Sequence, residues 1–373
     1  MANLPSEQNH SPRGTVVDRG WLRVVLRGGI EDDRLIHTEA ELDEALSRPT
    51  KDDVAAMAAL AGDVLILGAA GKMGPSLAAL ARRASEAAGV SRGIIGVSRF
   101  SSPDSRQSLQ AAGVETIACD LLDRNALAGL PDCPNVLFMA GRKFGTHENE
   151  ALTWAVNTYL PALVAERFPR SRIVAFSTAN VYPLSPIQQG GSRESDAVSP
   201  IGDYAQSALG RERLLQYFSE RNGTPMAILR LSYAIDLRYG VLRDVAEKIV
   251  ASKPVDLTTG YANVIWQRDA NSVALRAFAH CASPALVLNL SGPRPLSIRQ
   301  AAERMGELAG VDPVFAGQES DSALLVNCAR AVEMFGPPPT STGEMIEWVT
   351  GWVQQGGRSL HKPTHFEERA GQF

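Results

Sequence analysis

Val64-Leu65-Ile66-Leu67-Gly68-Ala69-Ala70-Gly71-Lys72-Met73-Gly74 is the stretch that decides the fold. A four-residue apolar run enters a glycine-rich turn, and a helix-like run follows from Ser76 to Ala88. Strand, glycine turn and helix in that order are the context in which such a pattern signals dinucleotide binding. Glycine lets the backbone turn tightly and approach a pyrophosphate, and a helix N-terminus offers unpaired N–H groups and a partial positive charge. Gly68, Gly71, Lys72, Met73 and Gly74 are therefore the candidate phosphate contacts. The bland alternative is an ordinary turn of an α/β protein.

Outward from this stretch, short apolar runs alternate with helical segments. The predicted strands are Val64–Leu67, Gly93–Val97, Glu115–Cys119, Asn135–Met139, Arg172–Phe176 and Met226–Arg230. Runs of this kind read as strands buried on both faces of a parallel sheet. Right-handed crossovers then predict an α/β fold, a Rossmann-like doubly wound sheet. Residues 61–235 form the predicted NAD(P)-binding domain and 236–355 a smaller C-terminal substrate lobe. Ala285–Leu290 is a further strand, Ser297 caps a helix ended by Gly310, and Met345, Ile346, Val349, Trp352 and Val353 stripe one late helix.

Residues 1–60 read as a partly disordered N-terminal extension and 356–373 as a C-terminal tail. Within the extension, residues 1–15 read as disordered and Leu22–Leu26 as a short strand. Thr38 and Thr50 each cap a helix, the first through a capping box with Glu41.

Composition narrows the function. With 373 residues, 45% hydrophobic and 21% charged, the chain has the make-up of a globular protein of one large or two ordinary domains. A net charge of −4 without a basic block argues against nucleic acid or a membrane surface as partner. The four cysteines lie far apart and form no CxxC pair, as in a cytoplasmic, reducing setting. No secretory leader or membrane-spanning run is read. The six histidines form no metal-ligand cluster.

In doubly wound sheets, ligands bind beyond the carboxyl ends of the strands. The second predicted strand ends in Ser98-Arg99, where an acidic residue would favour NAD. A guanidinium there suits a 2′-phosphate, so NADP is the expected cofactor and NAD the alternative. Asp120 and Leu121, after the third strand, are placed for the adenine, and Ala140-Gly141 leave room for the cofactor after the fourth.

These residues carry a resemblance. From Asp63 to about Trp352 the chain resembles an extended short-chain dehydrogenase/reductase of the NAD(P)-dependent epimerase/dehydratase group. The matching elements are Gly68-x-x-Gly71-x-x-Gly74, Asp120-Leu121, Met139-Ala140-Gly141, Asn157, the run from Phe176 to Tyr182, and Tyr204 with Ser207 and Glu212. The resemblance implies that Thr178 hydrogen-bonds the reacting oxygen and that Tyr204 exchanges a proton while hydride moves to or from nicotinamide. It implies that Asn157 belongs to the cofactor site, that Asn180 and Tyr182 face substrate, and that the protein forms a homodimer through the Tyr204 helix. Sugar-dehydrating relatives carry Asp-Glu after the threonine; Ala179-Asn180 argues against that reaction.

One departure stands out. The family tyrosine is followed four residues later by lysine, and here Ala208 stands in that place. Residues at i and i+4 share a helix face, so the missing ammonium would have favoured phenolate. Lys143 is the preferred substitute and Arg211 another; alternatively the substrate or a different side chain supplies the base. Arg230, Arg238, Arg243 and Trp266 are candidate substrate contacts for an anionic sugar derivative. The expected function is NAD(P)-dependent oxidoreduction or epimerisation of a sugar, sugar acid or nucleotide-sugar. A catalytically impaired NAD(P)-binding sensor or scaffold is the rival.

Overall fold

Seven short strands, the central ones rich in residues that pack on both faces, dictate the core. The computed structural model describes residues 35–143, 145–146, 148–362 and 364–371. The expected disorder at 1–15 and the expected strand at Leu22–Leu26 lie outside them. The strands of the central sheet are β1 (Val64–Leu67), β2 (Ile94–Ser98), β3 (Glu115–Ala118), β4 (Asn135–Phe138), β5 (Arg172–Thr178), β6 (Met226–Leu231) and β7 (Leu286–Leu290). Their order is β7-β6-β5-β4-β1-β2-β3, with every neighbouring pair parallel. Strands are thus added outward on opposite sides of the β1–β4 boundary, and that switch point creates the crevice where such sheets bind ligands.

β1 and β4 are buried along their whole length. That is why they read as unbroken apolar runs rather than alternating ones. One apolar cluster covers the face packed by the Gly74–Ala87 helix; a second covers the opposite face, with Leu65, Leu67, Phe138 and Phe218. A third holds the second lobe together, gathering the Val241–Val250, Ile298–Ala309 and Thr342–Gln354 helices around Trp266, Met305 and Trp352. From Ile36 to Phe373 the chain is one compact unit. β7 differs from the expected lobe strand: it returns to the central sheet beside β6, register Leu286 to Ala227.

Local chemistry sets several boundaries. Thr38 and Thr50 each accept from the amide three residues on, in complete capping boxes. Ser297 accepts from the Gln300 amide, and Gly310 ends that helix at φ +67°. The extension helices Glu39–Ser47 and Lys51–Ala59 dock on the main body. Arg83 grips Glu44 with both guanidinium nitrogens, and Ser272 donates to Asp53. Among the described residues no helix is long and apolar enough to cross a membrane.

Candidate active site

The glycine turn is built to be approached. Gly68 has φ +94°, and a Cβ there would lie 2.7 Å from the Ala140 amide nitrogen at the end of β4. A Cβ on Gly74 would lie 2.2 Å from the Ala69 carbonyl oxygen. The first glycine thus permits the turn and brings β1 against β4, and the last lets the helix start flush against the strand end. The Gly74–Ala87 helix begins with Met73 at its cap, no side-chain cap bond and a proline in its first turn.

Around this cradle the expected cofactor residues fall into two groups. Arg99 is exposed and Ser98 half-buried at the end of β2. Asp120 is exposed and holds the Leu122 amide, while Leu121 is buried; Asp123, not Asp120, caps the next helix. Asn157 is different. It is 1% exposed, and its amide group accepts from the Arg142 N–H and donates to the Arg142 carbonyl and to Ser207 Oγ. It clamps the loop after β4 from behind and has no face toward a cofactor.

The expected reacting pair meets. Thr178 ends β5; its hydroxyl donates to Asn180 Oδ1 at 2.8 Å and stands close enough to the Tyr204 phenol to influence its ionisation. Tyr204 comes from the first turn of the Gly202–Asn222 helix. Burial pushes its phenol above the ordinary value; Thr178 and the Arg211 charge partly oppose this. The phenol is therefore protonated at neutral pH.

Two cations, Arg211 and Lys143, stand near it. Helix side chains lean toward the N-terminus, so Arg211 reaches back past Ala208. Its guanidinium donates to the carbonyls of Phe176 (2.6 Å), Ala140 (3.1 Å) and Asn157 (3.3 Å) and to Asn157 Oδ1 (3.0 Å). It thereby ties together the ends of β4 and β5. A Cβ on Gly141 would lie 2.8 Å from one of its nitrogens, so a larger residue there would push the guanidinium aside. Burial lowers the Arg211 guanidinium to about 10, which leaves it charged.

Lys143 comes from the loop after β4. Its ammonium lies 5.9 Å from the centre of the Tyr204 ring and donates to the Thr364 carbonyl at 3.1 Å. Burial brings its amine down to about 8, against the pull of Asp244. Lys72 reaches out of the glycine turn to the Ala234 carbonyl at 2.6 Å, over the Tyr239 ring at 4.2 Å. Burial lowers it to about 8 as well, Asp236 opposing and Arg238, Lys143 and Lys362 reinforcing. Burial raises the phenols of Tyr233 and Tyr239.

The expected substrate contacts mostly lie elsewhere. Trp266 is 1% exposed and packs edge-on against Trp348, so it has no face for a sugar ring. Tyr182 is 2% exposed; its hydroxyl donates to Asn289 and accepts from Arg230. Arg230 forms a buried pair with Glu212, which also accepts from Ser177. Arg238 pairs with Glu39, Asp43 and Asp236, fastening the extension to the lobe. Arg243 serves the Leu237 and Gly357 carbonyls and Glu247. In each case a large side chain in a tight lobe found its partners inside the protein. Asn180 alone of these remains half-buried beside Thr178. Sequence reasoning missed Tyr233, Asp244 and Thr364, which carry no motif and reach the site only by folding.

Comparison with known proteins agrees with this geometry. The family model described as the NAD dependent epimerase/dehydratase family matches residues 64–263. Among solved structures, the chain is similar to a UDP-glucuronic acid 4-epimerase from Bacillus cereus in complex with UDP-glucuronic acid and NAD. The identity is 17% and the TM-score 0.64, over 79% of this chain and 99% of that one. It is also similar to the UDP-Glc/GlcNAc 4-epimerase from Campylobacter jejuni (21%, TM-score 0.64, 79% and 100%). A third is a UDP-glucose 4-epimerase with UDP-glucose from Thermotoga maritima (16%, TM-score 0.63, 79% and 99%). No curated protein sequence matches the chain.

Proposed function

The chain belongs to the NAD dependent epimerase/dehydratase family, and on that premise we propose that it epimerises or oxidises a secondary alcohol of a nucleotide-sugar. Sugars and sugar acids are the wider substrate class. The similar solved structures named above are UDP-sugar 4-epimerases, and they match this chain over nearly their whole length.

The meeting of Thr178 and Tyr204, with the Lys143 ammonium 5.9 Å from the tyrosine ring centre, is the observation that carries this reading. Gly68 and Gly74 keep the turn tight, since a Cβ at either would meet backbone atoms, and a tight glycine turn leading into a helix suits a pyrophosphate. Gly68, Gly71, Lys72, Met73 and Gly74 would hold the phosphates. We assign NADP as the preferred form, because Ser98-Arg99 offers a guanidinium and no carboxylate at the ribose position. The nicotinamide, when bound, supplies the acceptor and donor for hydride. Thr178 orients the reacting oxygen and Tyr204 passes the proton. Lys143 and Arg211 together take the part of the missing lysine, placing positive charge beside the phenol so that it gives up its proton more readily than burial alone would allow. Four free cysteines suit a cytoplasmic protein. Exposed Trp154, Tyr159 and Tyr217, on the two helices that flank this face, suit a homodimer.

The test has two stages. Calorimetry with NAD and NADP measures cofactor binding, and a panel of UDP-sugars measures turnover. Micromolar binding and turnover that Tyr204→Phe removes are the expected results. Cofactor binding with no turnover on any sugar would reverse the assignment in favour of a non-catalytic role.

A further inference from the structure

The C-terminal tail has no part in the family pattern, yet it runs into the catalytic cleft. After the Thr342–Gln354 helix, the Leu360 amide donates to the Arg238 carbonyl at 3.0 Å. Thr364 follows, and both its amide and its hydroxyl donate to Asp244 Oδ2. Phe366 is 2% exposed in the core of the second lobe. Glu367 pairs with Lys248, and Arg369 grips Ser322 through two nitrogens at 2.8 and 2.9 Å. The segment ends against the start of the Tyr204 helix, where a Cβ on Gly202 would lie 2.3 Å from the Gly371 carbonyl oxygen. Glu368, Arg369 and Gly371 face Asn180, Tyr182 and Ile201 across one small cavity. Anchored in the lobe and abutting the catalytic helix, the tail bridges both sides of the cleft.

At the centre of this strap, the Thr364 carbonyl accepts from the Lys143 ammonium. We propose that the C-terminal segment is part of the catalytic site: Thr364, pinned by Asp244, positions the Lys143 ammonium against the Tyr204 ring and covers it from water. The inference rests on the reading that Lys143 replaces the lysine absent at Ala208. Asp244 lies on the Val241–Val250 helix, and a loop lysine is flexible. A loop ammonium has no helix to fix it as the family lysine has, so an acceptor delivered from outside the loop must do so. Thr364 and Asp244 are thus positioning residues, and they act through Lys143.

The groups that face this amine are Asp244 from the lobe helix, Tyr204 from the catalytic helix and Lys72 from the glycine turn. They give the test its sign. The amine is held near 8 by burial, so the charge that serves Tyr204 fades as pH rises through about 8. In the full chain with cofactor, Thr364→Ala loosens the cover and admits water; the alkaline loss of turnover moves up toward the ordinary lysine value. Asp244→Asn removes a carboxylate that opposes the effect of burial, and the loss moves down. Both variants lower kcat at neutral pH, by about tenfold or more, with cofactor affinity within about twofold. Thr364→Ser, which keeps the hydroxyl, recovers most of what Thr364→Ala loses.

A purely structural strap would lower thermal stability in both variants and leave the alkaline limb in place, which overturns the proposal. The underlying reading has its own control. If Lys143→Ala turns over at the wild-type rate, that reading fails and the strap with it. If Lys143→Ala is impaired while both strap variants match wild type in kcat and pH profile, the strap proposal alone fails.

Discussion

Replacing Glu212 by alanine tests whether the network behind the catalytic strand is as tightly committed as its geometry indicates. Glu212 is fully buried and Arg230 is 4% exposed. The carboxylate receives Arg230 Nε at 3.0 and 3.1 Å, Arg230 Nη2 at 2.7 Å and the Ser177 hydroxyl at 2.6 Å. Arg230 also serves the Tyr182 hydroxyl. Alanine leaves a buried guanidinium without its carboxylate and deprives Ser177, next to Thr178, of its acceptor. Stranding one member of a buried pair costs about 3–5 kcal/mol. Replacing both members by apolar residues, Glu212→Leu with Arg230→Met, removes the uncompensated charge. What then remains is the lost partners of Tyr182 and Ser177, about 1–3 kcal/mol for each group left unsatisfied. The double variant should therefore lose much less than the sum of the singles. Urea unfolding followed by tryptophan fluorescence, on Glu212→Ala and on the cycle of Glu212→Leu, Arg230→Met and their double variant, gives the free energies. A Glu212→Ala loss below about 1 kcal/mol, or a cycle that closes additively, would refute the reasoning: the pair would then be solvated or replaceable.

Three further outcomes follow from the site. Gly68→Ala puts a methyl 2.7 Å from the Ala140 nitrogen at φ +94°, so it should weaken NAD(P) binding by at least about tenfold and lower the unfolding midpoint; calorimetry and thermal melts report both. Lys143→Arg keeps a charge that no accessible pH removes, so the loss of turnover through pH 8 should disappear from its profile, whereas Lys143→Ala should be slow at every pH. Arg99→Ala should cost NADP more affinity than NAD, on the order of tenfold, and equal effects on the two would remove Arg99 from the phosphate site.

Much of the fold was legible because it depends on neighbours in sequence. Apolar runs of strand length mark six of the seven sheet strands, and the threonine, serine and aspartate caps at Thr38, Thr50, Ser297 and Asp123 sit where side-chain oxygens find free amides. The glycine turn, too, is local: Gly68 and Gly74 declare their roles through spacing alone. β7 was visible as a strand but not as a member of the central sheet, since an apolar run does not say which edge it joins.

The site divides along the same line. The absence of a lysine at Ala208 is plain in the sequence, as is the threonine–tyrosine pair that the family pattern requires. What fills the gap is not. Arg211 was visible three residues on, but its four bonds to β4, β5 and Asn157 exist only once those strand ends meet. Arginines and a tryptophan in the second lobe look like substrate contacts by type. Whether they face a cleft or a core depends on contacts such as Glu212 with Arg230 and Trp266 with Trp348.

By itself, then, the order of residues settled the dinucleotide cradle, the parallel sheet and the missing amine, because each follows from backbone sterics or from period and spacing within a few residues. Tertiary structure alone decided which positive charges stand near Tyr204. That choice brings together Lys143, Asp244 and Thr364, the last 221 residues from the first, and electrostatics at short range depends on distance in space, whatever the separation along the chain.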